Sequence, residues 1–432
     1  MEWLGDLRGF LEELRQGGAI QEFKEPVALE EAYRLIRSSP GLRAIFEDVR
    51  GYDYKIVTGI CGSRELIAAA IGIKPAALHA ALNNAMKDPL EPEESSSATF
   101  SEISGDLSQL PISRYYPRDG GPYISSAIVS AKSPDGSIEN VSIHRMMVLG
   151  GRRLVIRIVP RHLFRLCEMA KASGLKALPI GIAIGLHPSV LLAASSPAPF
   201  GVSEYAVANR LMGGGLRLAR LGNRTRVPSD SEIIIEGEIS LEESEEEGPF
   251  VDLTGTYDIV RRQPVVKVDK VYRRDGAIYH ALLPGGPEHA ILMGLPYEAK
   301  IREWVASTVP TVKDVRLTKG GCGWLHAVIS IEKQAEGDGK NALLAAFAAH
   351  PSLKHAVVVD SDIDISDPTA VEWAIATRFQ GDKDLVIIRG ARGSSLDPSA
   401  DQEGLTTTKL GFDATRPLSK PKDKFLRAEP EG

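Results

Sequence analysis

Asn140 and Arg145 stand five positions apart, Arg161 and His162 follow, Ser195-Ser196 and Glu204 come next, and then Glu247 and Asp252. An amide oxygen, an imidazole and a carboxylate from Asn140, His162 and Glu204 form a donor set that suits a hard divalent cation such as Mn²⁺ or Mg²⁺. Glu247 and Asp252 bracket a Gly-Pro bend in Glu-Gly-Pro-Phe-Val-Asp. If both reach Arg145, the guanidinium favours ionisation of one and crowding favours protonation of the other. A carboxyl kept protonated in this way can deliver a proton to a carbanion near neutral pH. Arg145, Arg152, Arg153, Arg157, Arg161 and Arg165 form a basic cluster suited to an anion, most simply a phosphate. Lys409, in Thr-Thr-Thr-Lys-Leu-Gly, is a further phosphate candidate.

Each piece has a plainer reading. A polar face on a strand usually meets solvent. A histidine opening a helix is usually a surface or capping residue, and Glu204 could serve only the first turn of a helix. The arginines could pair with carboxylates. Asp360, Asp362 and Asp364 resemble the start of a calcium loop, but Ile365 and Val371 stand where Gly and Glu are needed, so a polar strand end is preferred. The acidic run from Glu242 to Glu247 reads as a solvated loop apart from its last member.

The elements that position these residues follow from periodicity and turn chemistry. Leu4, Leu7, Leu11 and Leu14 have helical spacing, closed by Gly17-Gly18. Helices and short apolar runs then alternate to about residue 87, and 88–98 reads as a linker or exposed loop. The middle is rich in hairpin signals: strands over 124–131, 140–149 and 154–158, turns at Asp135-Gly136 and Gly150-Gly151, and a helix over 162–172 with Gly174 beyond it. Alternation places Asn140, Ser142 and His144 on one side, and Val141, Ile143 and Arg145 on the other. Further strands are expected at 180–184, 232–239, 264–273 and 277–283, with a turn at Asp275-Gly276. From about residue 298 the pattern is α/β again, with strands at 327–331 and 356–359 and a helix over 342–349. A loosely held tail is expected from about 416. The fold class is α/β plus antiparallel β: an N-terminal α/β domain (1–98), a barrel-like antiparallel domain with inserted helices (99–297), and a C-terminal α/β domain with the tail (298–432).

Composition excludes several classes. The 432 residues are 43% hydrophobic and 25% charged, with a net charge of −6, which argues for an ordinary globular protein and against general nucleic-acid binding. Three scattered cysteines suggest a reducing compartment. The apolar stretch 177–194 is interrupted by Pro179, His187 and Pro188, so it reads as a buried strand and loop rather than a membrane span. The first residues carry no secretory signal pattern. A cytoplasmic enzyme is expected. The Walker, Rossmann, zinc-protease, nucleophile-elbow and Cys-x-x-Cys signatures do not occur.

Taken together, the chain resembles the UbiD family of reversible decarboxylases, which use prenylated flavin mononucleotide. The resemblance rests on Asn-x-x-x-x-Arg (140–145), Arg-His (161–162), and Ala-Ser-Ser-Pro-x-Pro-x-Gly-x-Ser-Glu (194–204). Pro-x-x-Ser-Glu-Ile-x-x-Glu-Gly (228–237), Glu-Gly-Pro-Phe-x-Asp-x-x-Gly-x-Tyr (247–257) and Lys-Leu-Gly-x-Asp-Ala-Thr (409–415) continue it in family order, nearly end to end. It implies that Asn140, His162 and Glu204 hold Mn²⁺ (or Mg²⁺) at the flavin phosphate. It also implies a K⁺ site at backbone groups around Ala194, Ser195 and Pro197 with Glu204. Ile143, His144, Arg145, Arg157, Ile158, Val159, Arg161, His162, Ser195, Ser196 and Lys409 would line prenylated FMN. Arg145, Glu247 and Asp252 would form the acid–base network, with Asp252 as proton donor.

The family fold is a split-barrel flavin-binding domain between α/β elements, usually in dimers or larger assemblies, with the cofactor supplied by a flavin prenyltransferase. The modified flavin acts as electron sink while CO₂ leaves, and the acid protonates the carbanion. Two departures stand out: Val251 replaces the usual Gly before the acid, and Arg161 stands where cinnamate-type relatives carry a neutral amide. The compact, arginine-rich chain suits the archaeal group acting on trans-anhydromevalonate 5-phosphate, giving isopentenyl phosphate in a modified mevalonate route. An aromatic acid of the polyprenyl-hydroxybenzoate type and a flavin-binding protein without turnover remain as alternatives.

Overall fold

The computed structural model describes residues 5–95 and 100–428; Leu4 and the end of the expected linker, 96–98, lie outside the described residues. The contacts divide the chain into two units, Met1–Leu292 and Met293–Gly432.

The first unit is mixed α/β. Its first helix, Leu7–Gln16, buries Leu7, Phe10, Leu11 and Leu14 on one face, and the Asp6 carboxylate caps it by accepting from the Gly9 N–H. A four-stranded sheet joins Gln21–Phe23, Ala44–Phe46, Lys55–Thr58 and Ile278–His280, so the N-terminal region is completed by a strand from far along the chain. The expected linker contains a short strand instead of only a loop. Glu93–Glu94 pairs in parallel with Arg217–Arg220, and Arg220 forms an ion pair with Glu94.

The main body is a nine-stranded antiparallel sheet. Its centre is a long hairpin, Ile233–Glu247 against Arg261–Arg273, whose ladder runs from Ile233 opposite Arg273 to Glu247 opposite Arg261. The acidic run is therefore strand rather than loop. Its side chains are mostly in water, but the backbone is held by the partner strand, with Glu243–Lys267 and Glu245–Arg153 ion pairs alongside. Isoleucines 180, 182, 184, 233 and 235 and Val266 and Val268 fill the core.

Two expected strands are each broken. Between Tyr123–Ile124 and Ile128–Lys132, the hydroxyls of Ser125 and Ser126 donate to the carbonyls of Leu282 and His280, pulling the chain out of the ladder. Between Glu139–Ile143 and Met146–Gly150, the chain changes partners from Ile128–Lys132 to Arg153–Ile156, near the opposite end of the sheet order. His144 and Arg145 sit at that crossover. The stretch 177–194 is a strand, Ala177–Ile184, followed by a helix, Pro188–Ala194. No single helix among the described residues is long and apolar enough to cross a membrane.

The second unit carries a five-stranded mixed sheet, Val312–Leu317, His326–Ile331, His355–Asp360, Thr406–Ala414 and Leu385–Arg392 in spatial order, with helices Asp338–Ala349 and Pro368–Arg378. Asp360 and Asp362 bind Arg378, consistent with a structural strand end. The tail is tied down rather than loose: the N–H of Leu418 donates to Glu336, the carbonyl of Phe425 accepts from Arg378, and Arg427 lies over Trp373.

Candidate active site

Arg145 leaves the crossover with its side chain almost wholly buried and meets three carboxylates. Its Nε and Nη2 donate to the two oxygens of Glu247, both at 2.9 Å, a bidentate pair. Its Nη1 donates to Asp252 Oδ2, and Nη2 also donates to Asp258 Oδ2 at 3.0 Å. The guanidinium lies 4.6 Å from the Phe250 ring centre. Burial alone would weaken the arginine's hold on its proton, but Asp252, Glu247 and Asp258 outweigh it and raise the pKa. Arg145 is a permanent cation here.

The three acids differ in their surroundings. Glu247 is fully buried and also accepts from the Tyr123 hydroxyl at 3.0 Å. Asp258 is opposed by burial but is clamped by Arg261 Nη1 at 2.6 Å and by Arg145, and its pKa is lowered. Asp252 has one N–H from Arg145 and its neighbour's backbone N–H, Leu253, at 2.7 Å. His289 faces it, Nε2 to Oδ1 at 4.0 Å.

Local chain geometry explains the convergence. Gly248 has φ +106°, where an L side chain is strained, and Gly248-Pro249 turns the chain out of the long hairpin. Gly120 donates its N–H to the Pro249 carbonyl at 2.8 Å, and a Cβ on Gly120 would lie 2.1 Å from the Gly248 carbonyl oxygen. Phe250–Val251 then pairs with Tyr257–Asp258, which sets Asp252 and Asp258 at the two ends of a tight hairpin. Val251 is buried in this hairpin, opposite Tyr257, and Asp252 still reaches Arg145.

A second cluster lies around Glu204, the first residue of helix Glu204–Leu211. Its buried carboxylate accepts from Asn140 Nδ2 at 3.0 Å and from the Val141 N–H at 2.7 Å, with His162 Nδ1 at 3.7 Å. Burial pushes its pKa up; His162 and the Val141 N–H offset only part of this. Such a carboxylate is better satisfied by a nearby cation, and the oxygen and nitrogen donors around it suit a hard divalent ion. His162 opens helix His162–Ala172, with Arg161 as its N-cap.

Asn140, Ser142 and His144 do share one face: Ser142 Oγ lies 3.1 Å from Asn140 Oδ1 and 2.9 Å from His144 Nε2. His144 Nδ1 meets the Arg157 carbonyl at 2.9 Å, and burial pushes the imidazole down to about 4, so it is neutral near pH 7. Ile143 lies at the end of its strand, the Ile158 N–H donates to Gln263 Oε1 at 2.8 Å, and the Val159 carbonyl accepts from the Arg161 N–H. Arg157 is half-buried, and burial, Arg261 and Arg145 lower its pKa, an environment that favours an anion beside it. Arg161 is exposed; Arg165 stacks on Phe200. Ser195 and Ser196 donate their hydroxyls to the carbonyls of Leu192 and Ala193, closing helix Pro188–Ala194. Lys409 belongs to the second unit, where its ammonium donates to the Pro351 and Leu353 carbonyls and burial pushes its pKa down to about 8.

The structure thus brings Arg145, Glu247 and Asp252 together, and Asn140, His162 and Glu204 together. Sequence reasoning missed Asp258, Arg261, Tyr123 and His289. The Thr254-Gly255 turn was a signal for Asp258, since a hairpin there returns the chain beside Asp252. Arg261 follows from the ladder register only; Tyr123 and His289 carry no local signal.

Two family models match the chain: the 3-octaprenyl-4-hydroxybenzoate carboxy-lyase Rift-related domain over residues 91–287 and the C-terminal domain of the same carboxy-lyase over 290–414. Anhydromevalonate phosphate decarboxylase of Methanothermobacter thermautotrophicus is 47% identical over 423 residues, covering 98% of this chain and 99% of its own. The protein of the same name from Methanocaldococcus jannaschii is 46% identical, with 92% and 94% covered. Among solved structures, the UbiD-class enzyme HmfF from Pelotomaculum thermopropionicum, in complex with FMN, superposes with a TM-score of 0.94 at 39% identity, covering 98% of this chain and 97% of that one.

Proposed function

Because the chain belongs to the UbiD family of carboxy-lyases, we propose that it decarboxylates trans-anhydromevalonate 5-phosphate to isopentenyl phosphate with prenylated FMN. The observation that carries the chemistry is the single buried Arg145 bound to Glu247, Asp252 and Asp258. Pure flavin binding has no use for such a cluster. The substrate is supported by near-full-length likeness to archaeal proteins of that name and by the arginines at 157, 161 and 165.

In this reading Asn140, His162 and Glu204 would hold Mn²⁺ or Mg²⁺, and backbone groups near Ala194, Ser195 and Pro197 would join Glu204 in holding K⁺. Ile143, His144, Arg157, Ile158, Val159, Arg161, Ser195 and Ser196 would line the cofactor. When bound, prenylated FMN supplies the electron sink for the pair left as the carbon–CO₂ bond breaks. The chain's residues orient the acid and handle one proton. Asp252 holds it on a carboxyl oxygen and delivers it to the carbanion after CO₂ departs. Arg145 fixes where Asp252 points, and Glu247, buried and triply bonded, fixes Arg145. The antiparallel sheet is the split flavin barrel of this proposal, between N-terminal (1–98) and C-terminal (298–432) α/β domains. A cytoplasmic dimer or larger assembly, loaded by a flavin prenyltransferase, completes it.

The test compares the phosphorylated acid with its dephosphorylated form, using full-length protein co-produced with a flavin prenyltransferase and following CO₂ release. A charge-assisted hydrogen bond to phosphate contributes about 1.5–3 kcal/mol, so kcat/KM for the phosphorylated acid should be at least about tenfold higher. Arg161→Gln should erase much of that preference. Equal activity on both acids, or activity only on hydroxybenzoates, would defeat the assignment in favour of an aromatic acid.

A further inference from the structure

Arg145 has one positive charge and three carboxylates, one more carboxylate than the acid–base triad read from the sequence. The third, Asp258, is neither exposed nor adventitious. Its Oδ2 accepts from Arg145 Nη2 at 3.0 Å, and its Oδ1 accepts from Arg261 Nη1 at 2.6 Å and from the Ile259 N–H at 2.9 Å. Arg261 is placed by the long hairpin, where it is the register partner of Glu247.

Charge can be counted around Asp252. Arg145, Arg157 and Arg261 are three cations; Glu247, Asp252 and Asp258 are three potential anions. Two further titratable groups facing this cluster, His289 and Tyr123, add no charge near pH 7. His289, on the helix Pro287–Thr308, is kept neutral, since burial pushes its pKa down while Asp252 pulls the other way. Its Nδ1 accepts from the Gly285 N–H at 3.1 Å. The Tyr123 phenol is pushed up by burial and by Glu247. Asp119, which accepts from the Val251 N–H at 3.4 Å, is a further carboxylate, but its charge is met by its own backbone donors in Tyr115 and Tyr116 and by Arg114.

The site is therefore balanced when all three carboxylates are ionised, and an anionic substrate adds a fourth negative charge. A proton taken up with the substrate then rests on the carboxyl with the fewest donors. Glu247 has three donor bonds, from Arg145 twice and from Tyr123. Asp258 has three, from Arg145, Arg261 and Ile259. Asp252 has two, and is the most exposed of the three side chains at 14%.

We propose that Asp258, clamped between Arg145 and Arg261, is a positioning residue that takes up the positive charge Asp252 would otherwise claim, leaving Asp252 to carry the proton. This rests on Asp252 being the proton donor of the proposed decarboxylation. Without Asp258, three arginines face Glu247, Asp252 and the substrate, and Asp252 has no reason to stay protonated. Without Arg261, the opposite holds: Asp258 leans on Arg145 alone and Asp252 holds its proton more tightly.

The two substitutions must move the pH profile in opposite directions. The measurement is kcat against pH at saturating anhydromevalonate phosphate, which reports the substrate-bound enzyme, for the full-length enzyme loaded with prenylated FMN in wild type, Asp258→Asn and Arg261→Gln. Flavin content and melting temperature are recorded for each. Asp258→Asn should shift the alkaline limb, where the proton donor is lost, to lower pH by on the order of one unit. Arg261→Gln should shift it upward by a similar amount. Limbs that stay in place, or that shift in the same direction in both variants, would overturn the role given to Asp258. Asp252→Asn serves as the separate control. If it turns over normally, the proton-donor reading itself fails and the Asp258 proposal falls with it. If it is inactive while the limbs do not move, only the Asp258 proposal fails.

Discussion

Replacing Glu247 with Gln tests whether the buried pair around Arg145 governs proton delivery or only stability. The carboxylate is fully buried and accepts two hydrogen bonds from Arg145 and one from Tyr123. A glutamine keeps one acceptor oxygen but turns an amide NH₂ toward the guanidinium, so at least one charge-assisted bond is lost, about 1.5–3 kcal/mol. Breaking a buried pair outright costs about 3–5 kcal/mol. Arg145 is not orphaned, because Asp252 and Asp258 remain on Nη1 and Nη2, so the lower range applies. About 2–3 kcal/mol corresponds to a melting shift of roughly 5 °C for a unit of this size. The effect on turnover should be larger. With Glu247 neutral, Arg145 attracts Asp252 more strongly and holds it ionised, and loss of a positioned acid costs about 10²–10⁴-fold. The assay is CO₂ release by flavin-loaded enzyme at neutral and at lower pH, alongside thermal unfolding. Part of the rate should return on acidification, because the proton donor is then refilled. A folded, flavin-loaded Glu247→Gln enzyme within tenfold of wild type at neutral pH would refute the reasoning, as would a large loss that acidification leaves untouched.

Glu204→Gln should act on a different quantity. It should release flavin or metal on purification, measured by absorbance and metal analysis, whereas Asp252→Asn keeps both and loses turnover; a Glu204→Gln protein that retains both in full would remove Glu204 from the binding set. Stability should also fall with acid. Burial pushes His187 and His144 each down to about 4. An unfolded histidine titrates near 6.5, so between those values the unfolded chain binds protons that the folded chain refuses, and stability drops as pH falls from about 6.5 to about 4. The loss approaches about 3 kcal/mol per imidazole. His187→Asn keeps a cap acceptor for the Ser189 N–H and should flatten the denaturant midpoint between pH 7 and pH 5; an unchanged slope would count against His187 as a source.

Most of the candidate site residues were legible because they sit on elements with strong local signals. The helix His162–Ala172 matches its apolar spacing and its Gly174 stop, and Glu204 opens a helix as its Gly-Val-Ser approach suggests. The alternation of Asn140, Ser142 and His144 was also readable, because period two survives up to the crossover. The crossover itself was not. A single strand from 140 to 149 is the natural reading of the pattern, yet the ladder changes partners at His144-Arg145, and only the long-range pairing with Ile128–Lys132 and Arg153–Ile156 dictates that. The acidic run failed for a related reason: solvated side chains say nothing about whether the backbone has a ladder partner, and here Arg261–Pro264 provides one.

The same limit explains why the proposed acid–base cluster was read as three residues, whereas Arg145 also binds Asp258. Glu247, Asp252 and Arg145 announce themselves through a bend and a spacing. Asp258 and Arg261 become meaningful only once the two hairpins are registered, Phe250 opposite Asp258 and Glu247 opposite Arg261. That register adds a third carboxylate and a second arginine to the cluster, and leaves Asp252 with the fewest donors. In the proposed mechanism a proton donor at neutral pH is then a property of the register as much as of the residue: the strands on either side deliver three donors to each of Asp252's competitors and two to Asp252 itself.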